Sequence, residues 1–490
     1  MSDEPTMLIG RDRPAGERGG YDVVNPATEE LVGRAPEASA AQVEAAARAA
    51  AEAFPAWSRT TPKHRATLLD HLADLLAAQA DDGPGGGLVR LVQAETGATM
   101  RVARTMQVPQ TIDRFRRYAR GSTEPIATPL PPVEMPATAL APGGLLGTVV
   151  ERRPVGVVAT ITPYNFPLVN MAGKVGPALA MGNTVVIKPA PQDPLAVLRV
   201  ADAVVAAGFP PGVVNVVTGS GAEAGEALVA SRDVDMVSFT GSTGVGRRIG
   251  EVAGRDMKRL LLELGGKGAG IVFDDADLRT AVGAITSVWA FHSGQICTAP
   301  TRVIAQRGIY DQLVSGLAAA AGRLKVGDPL APDTVVGPVI SAPHRDRIEA
   351  YVASGHAEGG TLLAGGQRPD LGRGFYVAPT LIVDAKPGMR VVQEEIFGPV
   401  VVVLPFDDED EGIALANGTD FGLNDYVFTG DSSRGLRVAR QLRSGSVAIN
   451  TAQQSPEAPF GGFKLSGVGR DRGSFALHAY SEVQSIVWPG

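Results

Sequence analysis

The stretch "FHSGQICTAP", residues 291–300, contains Cys297, the one cysteine in a chain of 490 residues. Free cysteine is among the most buried residue types, so packing is its ordinary role. The polar, glycine-containing neighbours instead suit a loop entering a cleft, where a thiol turns nucleophilic beside a cation, a helix N-terminus or a base. His292 lies nearby in sequence, but sequence proximity does not make a Cys–His pair. Glu263, in "LLLELGGKG", follows an apolar run and precedes Gly265 and Gly266. It reads either as a general base tuned by its surroundings or as the acidic partner of Lys267.

Three glycine-rich stretches have the look of phosphate loops: "GSGAEAG" (219–225), "GSTGVG" (241–246) and "GVGRDRG" (467–473). None has the G-x-G-x-x-G spacing, so context decides among them. "GSTGVG" follows the strand-like "DMVSFT" and opens the helical "VGRRIGEV", which would aim free backbone N–H groups at a pyrophosphate. The alternative is a glycine turn required by backbone geometry. Lys188 ends the strand-like "NTVVIK", where a cation can grip a ribose or phosphate; otherwise it is a surface lysine before a proline turn. The acidic runs "FDDADL" and "FDDEDEG" lack calcium-loop spacing, and the histidines are scattered, so no metal is expected.

Positioning such residues takes more than one core, and two or three domains are expected at this length. The composition, 44% apolar and 20% charged, is that of a globular protein. A net charge of −7 gives no attraction to nucleic acid or an anionic membrane and favours a small-molecule partner. One cysteine excludes an internal disulfide and cysteine-rich zinc sites. The opening "MSDEPTMLIGRDRP" lacks a signal-peptide layout and no apolar run reaches membrane-spanning length, giving the expectation of a cytoplasmic location.

Ala-rich stretches between 37 and 80 read as two surface helices, followed by a flexible "DDGPGGG" loop at 81–87. The Pro-rich "EPIATPLPPVEMPATALAPGG" (124–144) reads as an extended connector. From 154 onward, Val/Ile-rich runs alternate with helical segments, the pattern of a doubly wound parallel sheet. A second α/β series begins near 264, and "AYSEVQSIVWPG" reads as a final strand.

Seven stretches in order, "TPYNFPL" (162–168), "KPA" (188–190), "FTGSTGVG" (239–246), "ELGGK" (263–267), "GQICTAPTR" (294–302), "EEIFGPV" (394–400) and "PFGGFKLSGVGR" (459–470), resemble the NAD(P)-dependent aldehyde dehydrogenase superfamily. The resemblance runs from "NPATEE" at 25 to the last strand. It implies two doubly wound α/β domains with a small β arm: a cofactor domain (1–130 and 152–263), a catalytic domain (264–460) and an oligomerisation arm (131–151 and 461–490). A homodimer or homotetramer follows. It also implies Cys297 as nucleophile on an aldehyde, Asn165 and the Cys297 N–H as oxyanion hole, hydride passing to NAD or NADP, and Glu263 activating the water that hydrolyses the thioester.

By the same resemblance, Ile161, Thr162, Pro163, Lys188, Ala190, Pro191, Gly221, Phe239, Thr240, Gly241, Ser242, Val245, Leu264, Gly265, Glu395 and Phe397 hold the cofactor. Tyr164, Phe166, Phe291, Ile296, Thr298, Gln454 and Phe460 line the aldehyde tunnel, with Gln453 beside them. Pro191 stands where NAD-preferring relatives often have a ribose-binding glutamate, so NADP should be tolerated or preferred. Asp471 replaces a second, distal glutamate of many relatives, which puts its proton-relay role in doubt. No arginine stands out in these motifs to bind a second carboxylate, which disfavours a semialdehyde acid. The alternatives are a CoA-acylating semialdehyde dehydrogenase, against which Glu263 argues, and a cysteine hydrolase with no dinucleotide.

Overall fold

The computed structural model describes residues 5–81 and 87–489. The loop expected at 81–87 falls mostly on residues outside the described ones, as do the first four residues of the opening stretch. Two mostly parallel sheets carry the architecture. In the first, the spatial order is Gly467–Val468, Arg259–Glu263, Met236–Thr240, Val157–Ile161, Thr184–Lys188, Val214–Val216, with only the two-residue edge strand antiparallel. Runs such as VVATI and TVVIK are apolar almost throughout because helices cover both faces of such a sheet.

The chain leaves Val157–Ile161 toward Thr184–Lys188 on one side and later returns to Met236–Thr240 on the other. The crevice beyond the carboxyl ends of the central strands is therefore a topological switch point, the place where doubly wound sheets take ligands. Helices Pro62–Ala78, Val108–Gly121, Pro167–Ala180 and Pro194–Ala207 pack into the larger core on one face. Helices Ala40–Trp57 and Glu223–Ala230 contribute to the core on the other.

The second sheet runs Thr361–Ala364, Thr380–Val383, Val400–Phe406, Arg302–Gln306, Ala269–Val272, Asn424–Phe428, Ser446–Ile449, again with one antiparallel edge. The helix Leu278–Ala290 packs into its core through Ile285, Val288 and Trp289. The indole of Trp289 donates to the carbonyl of Thr380 at 3.2 Å, which fixes the end of the helix that leads to Cys297.

The third sheet is antiparallel, Ser481–Pro489, Gly144–Pro154 and Ala127–Met135. It differs from the sequence expectation in two ways. The Pro-rich stretch, a connector by composition and from 131 part of the β arm by resemblance, forms the edge strand of a hairpin that begins at Ala127. Its prolines are accommodated because one side of an edge strand needs no N–H donors and the register shifts between Leu130 and Val133. Residues 461–480 do not join this arm. Gly467–Val468 extends the first sheet, and Ala476, Leu477 and Tyr480 enter the larger core, with the Tyr480 carbonyl accepting from the buried Asn183 amide at 2.9 Å.

Arg302, at the start of a central strand and 2% exposed, ties the catalytic sheet to its surroundings. Its guanidinium donates to the carbonyls of Lys267 (2.9 Å), Leu415 (2.9 Å) and Ala416 (2.8 Å). Replacing it with leucine strands three buried acceptors, and Arg302→Leu should cost about 3 kcal/mol in urea unfolding. A change below about 0.5 kcal/mol would mean those carbonyls find other donors.

Candidate active site

The cysteine loop is held under backbone constraint. After Phe291 the chain makes a single 3₁₀ turn in which His292, Ser293 and Gly294 all have positive φ (50°, 55° and 75°). Such a run persists only where the surroundings over-determine it. Here the Ser293 hydroxyl donates to Gly337 O at 2.8 Å, and the Gln295 amide donates to His292 O at 3.2 Å while accepting from Ile340 N at 3.0 Å. A Cβ at Gly294 would collide with the Gly398 carbonyl, and one at Gly266 with the carbonyl of Cys297 itself. Beyond the cysteine, the Tyr426 hydroxyl donates to Thr298 O at 2.8 Å.

Asn165 meets this loop directly. Its side-chain amide donates to Gln295 O at 2.8 Å, its own oxygen accepts from Phe166 N at 3.1 Å, and its backbone carbonyl accepts from the Gln107 amide at 3.0 Å. One amide hydrogen is thus fixed, and the other has no partner among the described residues. Gln107 and Gln295 were not legible as site residues. Gln107 sits at the end of a π-helical turn, Ala103–Gln107, a local irregularity with no periodic signature.

Glu263 ends its strand 4% exposed, and neither carboxylate oxygen has a hydrogen-bond partner among the described residues. A Cβ at Gly461 would lie 2.9 Å from its Oε1, so the glycine pair of "PFGG" is what admits this carboxyl. Burial pushes its pKa well above the usual range, Asp471 adds to the rise, and Lys174, Arg472 and Arg470 oppose it. Lys174 is itself fully buried, its amine pushed down by burial, and it donates to Ser238 Oγ at 3.2 Å. Cys297 is half-buried. Burial, then Glu395 and Glu263, push its thiol up to about 12 against the opposing charge of Arg472. His292 is buried against Phe166 (ring centroids 5.4 Å apart), and burial pushes its pKa down to about 4, leaving it neutral at pH 7.

A thiol and a carboxyl whose pKa values are both raised by burial make a site whose reactivity grows with pH. With the thiol's pKa raised, the thiolate fraction of the free protein rises tenfold for each pH unit well below it. Alkylation of Cys297 by iodoacetamide should therefore quicken about tenfold per unit between pH 7 and 9; a plateau inside that range would contradict the raised value.

The switch-point crevice has the features of a dinucleotide cradle. Ser242 caps the helix Thr243–Arg255, accepting from Val245 N at 3.5 Å, and added Cβ atoms at Gly221 or Gly244 would meet open space. Gly241 lies against the Phe239 ring and Gly246 against Leu264, which sets the floor. Lys188 is 6% exposed, donates to Pro189 O (3.0 Å) and Gly219 O (3.3 Å), and has its amine pushed down to about 8 by burial. Thr162 Oγ1 is buried and unpartnered among the described residues at the carboxyl end of the central strand, beside Ile161 and Pro163. Ala190 is buried and Pro191 half-buried. Glu37, not foreseen from sequence, accepts from Ser220 N at 2.9 Å and is close enough for its charge to act on Lys188.

At the inner end, Glu395 Oε1 accepts from Gly266 N at 2.9 Å, its other oxygen lies against Gly265, and Arg347 donates to its carbonyl at 2.9 Å. Phe397, at φ 59°, stands edge-on to Tyr164 with centroids 5.9 Å apart. Tyr164, expected on the aldehyde wall, is thus grouped with Phe397 and His344, because the left-handed turn at Phe397 presents a ring edge to its face.

The remaining expected wall residues surround the cysteine loop. Phe166 and Phe291 stack at 5.6 Å, and Ile296 packs against the catalytic core. Phe460 exchanges backbone hydrogen bonds with Asp471 at 2.8 and 2.6 Å. Its ring is covered by the guanidinium of Arg472 at 4.2 Å, and Arg472 Nη1 donates to Gln454 Oε1 at 2.7 Å. Arg472 lies just beyond the last of the motifs in which no arginine stood out. Arg472 adopts φ 70° at the start of the short helix Gly473–Ala479, and that turn swings it inward where residue spacing could not show it. Gln453 is placed apart. It lines a surface hollow of about 570 Å³ with Asp277, Thr280 and Asn450, to which no catalytic candidate contributes.

Among the described residues no group of three or more His, Cys, Asp or Glu is arranged to hold a metal, and no helix is long and apolar enough to cross a membrane. A family model described as "Aldehyde dehydrogenase family" matches residues 13–486. An aldehyde dehydrogenase of Emericella nidulans is 39% identical, over 95% of this chain and 91% of that one. A betaine aldehyde dehydrogenase of Cereibacter sphaeroides is also 39% identical, over 95% and 92%. The structure of an aldehyde dehydrogenase from Bacillus cereus in complex with NAD+ superposes with a TM-score of 0.92 at 38% identity, covering 99% of this chain and 97% of that one.

Proposed function

Because the chain belongs to the aldehyde dehydrogenase family, whose members are NAD(P)-dependent oxidoreductases, we propose that it oxidises an aldehyde to the carboxylic acid through a covalent intermediate on Cys297. The observation that carries the reading is the convergence on one cleft of a constrained cysteine loop, the Asn165 amide bonded to that loop, and a buried carboxyl at Glu263 with unpartnered oxygens.

Cys297 as thiolate adds to the aldehyde carbon, and the carbonyl oxygen takes the negative charge. The free Asn165 amide hydrogen and the Cys297 backbone N–H receive that charge, donors already oriented before it develops. A bound nicotinamide supplies the two-electron acceptor that converts the thiohemiacetal to a thioester. Glu263 then removes a proton from water, the water oxygen bonds to the acyl carbon, and the C–S bond breaks to return the thiolate. The sum is RCHO + NAD(P)+ + H2O giving RCOO−, NAD(P)H and two protons. Residues that would hold the cofactor are Lys188 at the adenosine end, the Ser242 helix terminus at the diphosphate, and Glu395 with Phe397 at the nicotinamide end.

A buried carboxyl with a raised pKa is a better base than an ordinary one, but it acts only after losing its own proton, so hydrolysis should quicken with pH. Cys297→Ala should abolish NAD(P)H formation. Glu263→Gln should give one burst of NAD(P)H per site followed by a stalled acyl-enzyme visible by mass spectrometry. Ordinary steady-state turnover by Glu263→Gln would remove Glu263 from the role of base. The same carboxyl argues against CoA as the acyl acceptor, since water activation is what it offers.

Pro191 brings no carboxylate to the adenosine ribose, which removes one source of repulsion toward a 2′-phosphate, while Glu37, held by Ser220 N–H, keeps its charge near Lys188. We expect NADP to be accepted, with kcat/KM no more than about a hundredfold below that of NAD. A wider gap would show that another group excludes the phosphate. The antiparallel arm exposes Leu130, Val133, Val483, Val487 and Trp488, and we assign it to a homo-oligomeric contact.

A further inference from the structure

Arg472 is the one feature of the aldehyde side that the dehydrogenase chemistry leaves unused. Its guanidinium is half-buried, and no carboxylate lies within ion-pairing distance of it among the described residues. Asp471, next in sequence, spends Oδ1 on the Arg472 backbone N–H at 2.7 Å rather than on the side chain. Among the described residues the only side-chain hydrogen bond of the guanidinium goes from Nη1 to the neutral amide oxygen of Gln454 at 2.7 Å. Gln454 is itself anchored on Asn424 Oδ1 at 3.3 Å. Nε and Nη2, the parallel pair that grips a carboxylate with two hydrogen bonds, have no partner among the described residues. A cation partly withdrawn from water and left unpaired is costly unless an anion completes it.

It stands beside the proposed reaction centre. The guanidinium covers the face of Phe460, at 4.2 Å, and Phe460 precedes the Gly461 that lies against Glu263 Oε1. Its charge acts on both the Cys297 thiol and the Glu263 carboxyl. A second guanidinium strengthens the field: Arg114 fills the space that a side chain at Gly173 would take and donates to Val169 O at 2.9 Å. Covering the Phe460 face also removes the aromatic surface on which a quaternary ammonium would rest.

We propose that Arg472 selects the charge of the substrate, favouring aldehydes that carry a carboxylate remote from the carbonyl, received on Nε and Nη2, and rejecting aldehydes that carry a quaternary ammonium. This rests on the dehydrogenase reading above and names the substrate class of that same site.

The test uses pairs of aldehydes of like shape and different charge, followed by NAD(P)H formation: 4-carboxybenzaldehyde against 4-methylbenzaldehyde, 4-oxobutanoate against pentanal, and betaine aldehyde against 3,3-dimethylbutanal. For the unaltered enzyme, kcat/KM should favour the carboxylate of at least one of the first two pairs by about tenfold or more, and should disfavour betaine aldehyde by a similar factor. In Arg472→Leu each preference should shrink by about tenfold, carried mainly by KM; Arg472→Lys should restore part of the carboxylate preference without the full two-bond gain. A purely structural role would lower both members of a pair together and leave their ratio unchanged, and that result overturns the proposal. So does an unaltered enzyme that prefers the neutral member of both carboxylate pairs, or betaine aldehyde over its neutral isostere, whatever the variants do. If no aldehyde of either charge yields NAD(P)H, it is the dehydrogenase reading that fails; if only neutral or cationic ones do, that reading stands and Arg472 loses its role.

Discussion

The five-residue link Leu264–Gly268 between the last parallel strand of the cofactor sheet and the first strand of the catalytic sheet is the constraint on which the site depends. Its glycines are spaces rather than hinges. A side chain at Gly265 would strike the Glu395 carboxylate, one at Gly266 the Cys297 carbonyl, and one at Gly268 would press within 2.7 Å of both Ala299 O and Asn424 O. Three segments distant in sequence are thereby drawn onto one short stretch, and Glu263 stands at its beginning. This close approach puts a carboxyl from one sheet beside a thiol that precedes a strand of the other.

The surrounding packing serves that approach. Residues 461–480 return from the catalytic domain to the first sheet, where Gly467 pairs with Glu263 and Tyr480 joins the larger core. A chain that ended its catalytic domain and went straight to the arm would leave Glu263 open on one side. The returning segment instead closes it with Gly461 and carries Asp471 and Arg472 to the same corner. Tyr480 then anchors the segment through its hydroxyl, 2.7 Å from Ser238 Oγ, the same oxygen that accepts from Lys174. Packing and electrostatics here are one arrangement, because the residue that seals the core also orients the buried ammonium facing Glu263.

The doubly wound sheets were legible because strands covered on both faces read as apolar runs, and helix starts such as Ser39, Ser242 and Asp277 announce themselves by capping. Cys297 and Glu263 drew attention through their glycine-containing surroundings, with bland alternatives beside the reactive ones, whereas Asn165 was named only through the family resemblance. What stayed hidden was set by tertiary turns. Arg472 sits in "GVGRDRG", which has the look of a phosphate loop, and only its left-handed φ marks the turn that brings it against Phe460. Gln107 and Gln295 act on backbone carbonyls, a contact with no signature in residue spacing. By composition the edge hairpin reads as a connector, because proline density argues against strands in general, and less so at an edge.

Polar groups that the protein leaves unmatched show where partners arrive. Native structures satisfy nearly all buried polar atoms, so each exception calls for a reason. Around this cleft the unpartnered buried atoms include Thr162 Oγ1 at the carboxyl end of the central strand and both oxygens of Glu263, and the half-buried Arg472 adds an Nε–Nη2 edge with no partner among the described residues. They lie respectively where the cofactor, the hydrolytic water and the far end of the aldehyde are assigned. A hydroxyl asks for a polar neighbour, a carboxyl with raised pKa for a proton donor such as water, and a guanidinium edge for a planar anion. The chemistry of each unmet group differs, so each names a different partner, and the assignment of one does not borrow from the others.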